Sequence, residues 1–242
     1  KIPQHALLPK GVVKAALEGY RLGFSKPEKA FKQMKELKYV EPEPWELSTD
    51  AYMARGKKWA AELRESPLPA DDPRVLALLR SYSSSRGGAD LLERYEVEAA
   101  GKGHGSMGFR DLFLILLKPK GTGDRVLLNI KAVRSDPDDA WYGNPAPTDG
   151  ERMLQAGDLY APGWEEGAGR AQLDGIEYYA RRIPPHNVKL KKMLDRGQSE
   201  DFAYAVGTQL GRGHRLSVVG QPAAVLADLD ARWDEYEASA LK

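Results

Sequence analysis

The chain has 242 residues, 42% of them hydrophobic and 29% charged, enough apolar content to bury one sizeable core or two small ones. A formal net charge of +1 gives no strong field for nucleic acid or anionic lipid, so neither is expected as a partner. The absence of cysteine excludes disulfides and thiolate metal sites and fits a reducing, cytoplasmic setting.

The first ninety residues read as a helical region. Val12, Val13, Ala16, Leu17, Tyr20 and Phe24 recur at helical spacing. Pro27 sits in the first turn of a second helix carrying Phe31, Met34 and Leu37, and the proline-broken linker 41–44 follows. Ser48, Thr49 and Asp50 offer caps for a third helix with Tyr52, Trp59 and Leu63. Asp72-Pro73 opens a fourth with Val75, Leu78, Leu79 and Tyr82 inward.

Residues 91–183 change period. Tyr95, Val97 and Ala99 alternate with charged residues as a strand does, although a helix continuing from Leu91 has the same composition. Leu112–Leu117, the longest apolar run and far too short to span a bilayer, pairs with 126–133 around Gly121-Thr122-Gly123-Asp124. A polar loop, 135–149, leads into a short helix beginning near Thr148 or Asp149. Asp174-Gly175 then marks a tight hairpin between 171–173 and 176–183. Residues 184–242 return to helix: Ser199 caps one with Phe202, Val206 and Leu210 inward, and Pro222 opens a last one with Val225, Leu229, Trp233 and Tyr236. The order predicts an α+β fold, an antiparallel sheet of about five strands with one intercalated helix, between helical N- and C-terminal parts.

Gly103-His104-Gly105-Ser106-Met107-Gly108 fits G-x-G-x-x-G. Because a strand rather than a helix follows, the pattern matches the glycine-rich turn of protein kinases, which covers nucleotide phosphates, better than a dinucleotide-binding turn. Glycines let backbone N–H groups approach anionic oxygens without obstruction, and the Ser106 hydroxyl would sit at the loop tip. Lys131, inside the otherwise apolar Asn129-Ile130-Lys131-Ala132, stands where such a lobe places the lysine that meets the α and β phosphates. Glu151, in the following helix, stands where the glutamate orienting that lysine belongs. Each has an ordinary structural alternative: a hairpin glycine, an edge lysine, a first-turn glutamate facing the helix dipole.

Leu91-Leu92-Glu93-Arg94-Tyr95, Gly103 to Gly108, Asn129 to Ala132, Gly150 to Ala156 with Asp158 and Trp164, Tyr179 to Ile183 and Tyr204 to His214 together resemble the bacterial domain of unknown function family 2252. That family is similar to the protein-kinase and aminoglycoside-phosphotransferase superfamily, so the resemblance implies ATP and Mg²⁺ as ligands, an unidentified phosphate acceptor, and adenine contacts from the backbone near Arg182 and Ile183. The chain departs from the family pattern in lacking the glutamate that directly follows the lysine, Ala132 standing in its place after Lys131. It also lacks the G-D-x-H-x-x-N and D-F-D segments that the family carries ahead of its glycine-rich turn. With Lys1 rather than Met at the start, the expectation is an ATP-binding part of a phosphotransferase whose catalytic segment lies upstream, this chain alone being inactive. The alternative is a non-catalytic, pseudokinase-like binding or regulatory module. His5, His104, His186 and His214 show no metal-ligand spacing, so no metal site is assigned, and His214 reads as a helix-end histidine. Trp141-Tyr142 read as sheet packing. Asp136, Asp138, Asp139, Lys189, Lys191 and Lys192 read as solvated charge.

Overall fold

A computed structural model describes residues 9–34, 61, 63–103, 111–133, 146–160, 167–183, 198–218 and 220–241. The linker 41–44, the caps and aromatics of the expected third helix up to Trp59, most of the polar loop, and Trp164, His5, His104 and His186 lie outside the described residues, as do Trp141-Tyr142 and the lysines 189–192. Two units emerge, interleaved in sequence: Lys1–Glu43, Leu159–Ala161 and Asn187–Lys242 form one, and Pro44–Asp158 with Pro162–His186 the other.

The first unit contains helices α1 (Lys10–Ser25) and α2 (Pro27–Lys32), with Pro27 opening α2 as expected. The second unit contains, in chain order, strand β1 (Pro67–Leu68), helix α3 (Pro73–Ser85), the single turn α4 (Leu91–Arg94), and strands β2 (Tyr95–Gly103), β3 (Leu112–Pro119) and β4 (Val126–Ala132). Helix α5 (Asp149–Tyr160) and strands β5 (Gly169–Leu173) and β6 (Ile176–Arg182) complete it, the last two residues of α5 being counted with the first unit. Helices α6 (Ser199–Ser217), α7 (Pro222–Ala231) and α8 (Trp233–Ala240) return to the first unit.

The sheet is fully antiparallel, in the order β1-β2-β3-β4-β6-β5. The fold is thus α+β, with six strands among the described residues rather than five. The sixth is β1, which pairs Pro67 and Leu68 with Gly101 and Ala100 and is too short for an alternating pattern to show in sequence. Around Arg94 both readings of the sequence hold in part, since α4 ends at Arg94 and β2 begins at Tyr95.

One face of the sheet packs on α3. Val75, Leu78, Leu79 and Tyr82 bury against Phe113, Ile115, Leu117, Leu128, Ile130, Tyr178 and Ala180, a single apolar cluster. The same helix also closes the β5 edge. Arg170 N–H and Gln172 N–H donate to Ser85 Oγ (3.1 Å) and Ser81 Oγ (2.8 Å). The spacings agree: four helical residues rise about 6 Å and two strand residues about 6.7 Å, so alternate edge amides meet serines one turn apart. Asp174 and Gly175 have φ of 51° and 76°, the positive pair that a two-residue hairpin of the right twist requires.

In the first unit, α1 and α6 approach closely enough that side chains disappear from the seam. A Cβ on Gly19 or Gly23 would enter α6 backbone at Tyr204 or Thr208, and one on Gly207 or Gly211 would enter α1 backbone at Ala16 or Tyr20. The inward face of α6 is therefore Ala203, Gly207, Thr208 and Gly211. Val206 and Leu210, expected inward, are 37% and 43% exposed. Gln198, not Ser199, occupies the N-cap of α6, and no side chain caps it. The expected last helix is interrupted at Arg232 into α7 and α8.

Candidate functional site

The β-ladder fixes which candidate residues share a face. Gly103 pairs with Leu112, Leu112 with Lys131, Lys131 with Tyr179, and Tyr179 with Arg170. Paired residues project to one side of a sheet, so these five form one row on the face opposite α3. The first glycine of the G-x-G-x-x-G segment and Lys131 thus lie two inter-strand spacings apart, roughly 9–10 Å. Gly105, Ser106 and Gly108 fall outside the described residues. Lys102 and Asp111, whose Nζ and Oδ1 are 3.7 Å apart, flank the two ends of the segment that carries them.

Helix α5 enters on the same face. Thr148 opens it: its Oγ1 accepts from Glu151 N–H (3.2 Å) and its carbonyl from Arg152 N–H (3.0 Å). Gly150 N–H donates to Glu177 Oε2 (2.8 Å), and a Cβ at Gly150 would press on Arg170 and Glu177. Glu151 Oε2 lies 3.5 Å from Arg170 Nη1, which also reaches Thr148 Oγ1 (3.3 Å). The two side chains of that ion pair are 42% and 33% exposed, so it contributes at most about 1 kcal/mol. The close approach of Gly150 and its bond to Glu177 are what seat the first turn of α5. Glu151 is thus brought to the lysine row through Arg170.

Arg182 pairs with Leu128 and so belongs to the α3 side of the ladder, whereas Ile183 falls on the lysine face. Ile183 is buried with Leu63, Leu114, Leu116 and Leu127, and its N–H donates to Leu127 O (2.9 Å). The Ile183 amide therefore serves the sheet. Adenine contacts are expected from the backbone near Arg182 and Ile183; residues 184–190 lie outside the described residues.

Next to the lysine row runs a third row, Gly101, Leu114, Asn129 and Arg181, whose Leu114 already belongs to this apolar cluster. Asn129 is 1% exposed, and neither its Oδ1 nor its Nδ2 has a hydrogen-bond partner among the described residues. Leaving such a group unsatisfied costs on the order of 1–3 kcal/mol. Burial, and then the charges of Asp111 and Asp174, push the Tyr178 phenol above its usual value.

No protein-family model, curated protein or solved structure matches the chain. The chemistry of this face therefore stands on its own residues. It presents a lysine and an arginine in one row, an unsatisfied carboxamide in the next, and leucines with Ile183 beyond. Sequence reading did not single out Arg170, Glu177 or Asn129. Asn129 was accessible to it, since two positions before Lys131 in a strand means the same face. The Asp174-Gly175 turn likewise sets Arg170 and Glu177 on a common face, although nothing in the sequence says that α5 lands there.

His214 lies in the last turn of α6, in the first unit. Its Nδ1 is 2.9 Å from the Tyr20 hydroxyl, and its ring meets Tyr160 edge-on at 5.9 Å between centroids. Among the described residues, no group of three or more His, Asp or Glu side chains is arranged to hold a metal ion. No described helix is long and apolar enough to cross a membrane.

Proposed function

We propose that the lysine face of the sheet is a kinase-like nucleotide-binding lobe, the ATP-binding part of a phosphotransferase resembling domain of unknown function family 2252. The observation that carries the reading is the row joining Gly103 to Lys131, with the first turn of α5 seated on the same face. A hairpin whose connection holds the glycines, a neighbouring strand holding the lysine, and a helix inserted after that strand is the order in which a kinase lobe meets ATP. Gly103, Gly105, Ser106 and Gly108 would cover the phosphates and Lys131 would contact the α and β phosphates. Glu151 would orient Lys131 in concert with Arg170, and the backbone near Arg182 and Ile183 would face adenine. ATP supplies the transferable phosphoryl group, with Mg²⁺ as its counter-ion. None of the 242 residues is assigned the role of the aspartate that positions an acceptor hydroxyl, so phosphoryl transfer is attributed to a segment outside this sequence.

One observation favours the rival, a non-catalytic, pseudokinase-like module. Glu151 is already engaged by Arg170, 3.5 Å away, as a purely structural first-turn glutamate would be. Calorimetric titration of ATP with Mg²⁺ into the wild type and Lys131→Ala tests the binding reading. Saturable binding weakened by about tenfold or more in the variant is expected, the size of one lost charge-assisted contact. Absence of binding to a wild-type chain shown to be folded by circular dichroism would overturn it.

A further inference from the structure

Asn129 is a polar residue buried in an otherwise largely apolar stretch of β4. It sits in the middle of β4, between same-face neighbours Leu127 and Lys131 along the strand and Leu114 and Arg181 across it. Its carboxamide is closed off and has no hydrogen-bond partner among the described residues. Buried polar groups are as a rule hydrogen-bonded, so an orphan on a candidate binding face points to a partner that arrives from outside.

Position indicates which partner. The face passes from Lys131 and Arg170 to the row of Asn129, about 6.7 Å along the strand and shared with Leu114 and Arg181, and then to Leu116, Leu127 and Ile183. A triphosphate belongs at the cationic row and a flat apolar ring near the leucines. What a ring needs in between is a paired donor and acceptor for its edge. A carboxamide offers an N–H donor and a carbonyl acceptor in one plane, the pattern that matches the amino group and ring nitrogen of adenine. A sugar hydroxyl would use only part of that capacity and would sit among leucines.

We propose that Asn129 reads the hydrogen-bonding edge of the purine base, an inference that rests on the nucleotide-lobe reading above. Base binding then requires the buried Asn129 carboxamide to become accessible, and the carboxamide gives the site its preference for ATP over a bare polyphosphate.

The test compares Mg²⁺ complexes of ATP and of inorganic tripolyphosphate on the full chain, wild type and Asn129→Leu, by calorimetry. The variant is expected to lose about tenfold or more in ATP affinity, within the range of one bidentate base contact, and to hold tripolyphosphate as the wild type does. A second readout needs no variant: the side-chain amide signal of Asn129 in the ¹⁵N-labelled wild type is expected to shift with ATP and to stay in place with tripolyphosphate. Undiminished ATP affinity in folded Asn129→Leu, or an amide signal unmoved at saturating ATP, overturns this inference and leaves the lobe reading standing. Failure of the wild type to bind either ligand overturns both.

Discussion

Asp72 shows what one side chain can decide. It precedes Pro73, whose fixed φ suits the first helical position, and its carboxylate accepts from Arg74 N–H (2.9 Å), Arg74 Nε (3.0 Å) and Arg74 Nη2 (2.7 Å). The Arg74 side chain is the main cause that lowers the Asp72 carboxyl to about 2, against an ordinary value near 3.9. Because the folded value is the lower one, the linked stability is present above about pH 4 and drains away as pH falls from there through about 2. Asp72→Ala is expected to cost about 1 kcal/mol near neutrality, the usual loss for an N-cap. In urea unfolding of both forms that difference should shrink between pH 4 and pH 2. A difference constant over that range would refute the assignment. This residue was legible from Asp-Pro alone, as was the burial of Val75, Leu78, Leu79 and Tyr82 one helical face away. Lys131 was legible as a lone cation in an apolar strand. Asn129 beside it drew no attention, because an amide betrays its missing partner only once its surroundings are known.

At the scale of the element, glycine divides into cases that sequence does not separate. Gly207 lies in the α1–α6 seam, where an added methyl would meet Ala16 and Tyr20 backbone, whereas nothing stands within 4 Å of a Cβ at Gly157 in α5. Gly207→Ala must therefore push two helices apart, and chemical denaturation should show a loss of at least about 1–3 kcal/mol. Gly157→Ala, by contrast, should gain about 0.5–1 kcal/mol through helix propensity and a less mobile unfolded chain. Equal effects at the two sites would mean that the seam is looser than its geometry. The same seam explains why Val206 and Leu210 face outward. Periodicity identifies an apolar stripe, yet the closest helix contact is made on the side that lacks side chains. In the sheet unit apolar spacing in α3 pointed to the surface that packs, whereas the alternation of Tyr95, Val97 and Ala99 is broken by a bulge after Val97 that turns Ala99 to the opposite face, beside Leu116.

At the scale of the whole molecule, each unit is assembled from distant parts of the chain, and this bears on where protection should concentrate. β3 is buried from Leu112 to Leu117 and is paired on both sides, by β2 and by β4. In native-state hydrogen exchange the amides of Leu114, Ile115, Leu128 and Ile130 should be among the slowest in the sheet unit, with β1 and the ends of β5 much faster. Exchange at β3 as fast as at β1 would contradict the core assignment. The sequence by itself determined the class of the fold, most element positions, the Asp174-Gly175 hairpin and the candidate trio of glycine segment, Lys131 and Glu151. All of these depend on interactions over a few residues, such as periodicity, capping and turn chemistry. Only the tertiary structure decided the strand order, the row that joins Gly103 to Lys131, the Arg170 partner of Glu151, the unsatisfied amide of Asn129 and the small-residue face of α6. Register and helix approach depend on residues far apart in the chain, and no local pattern encodes which of them will meet.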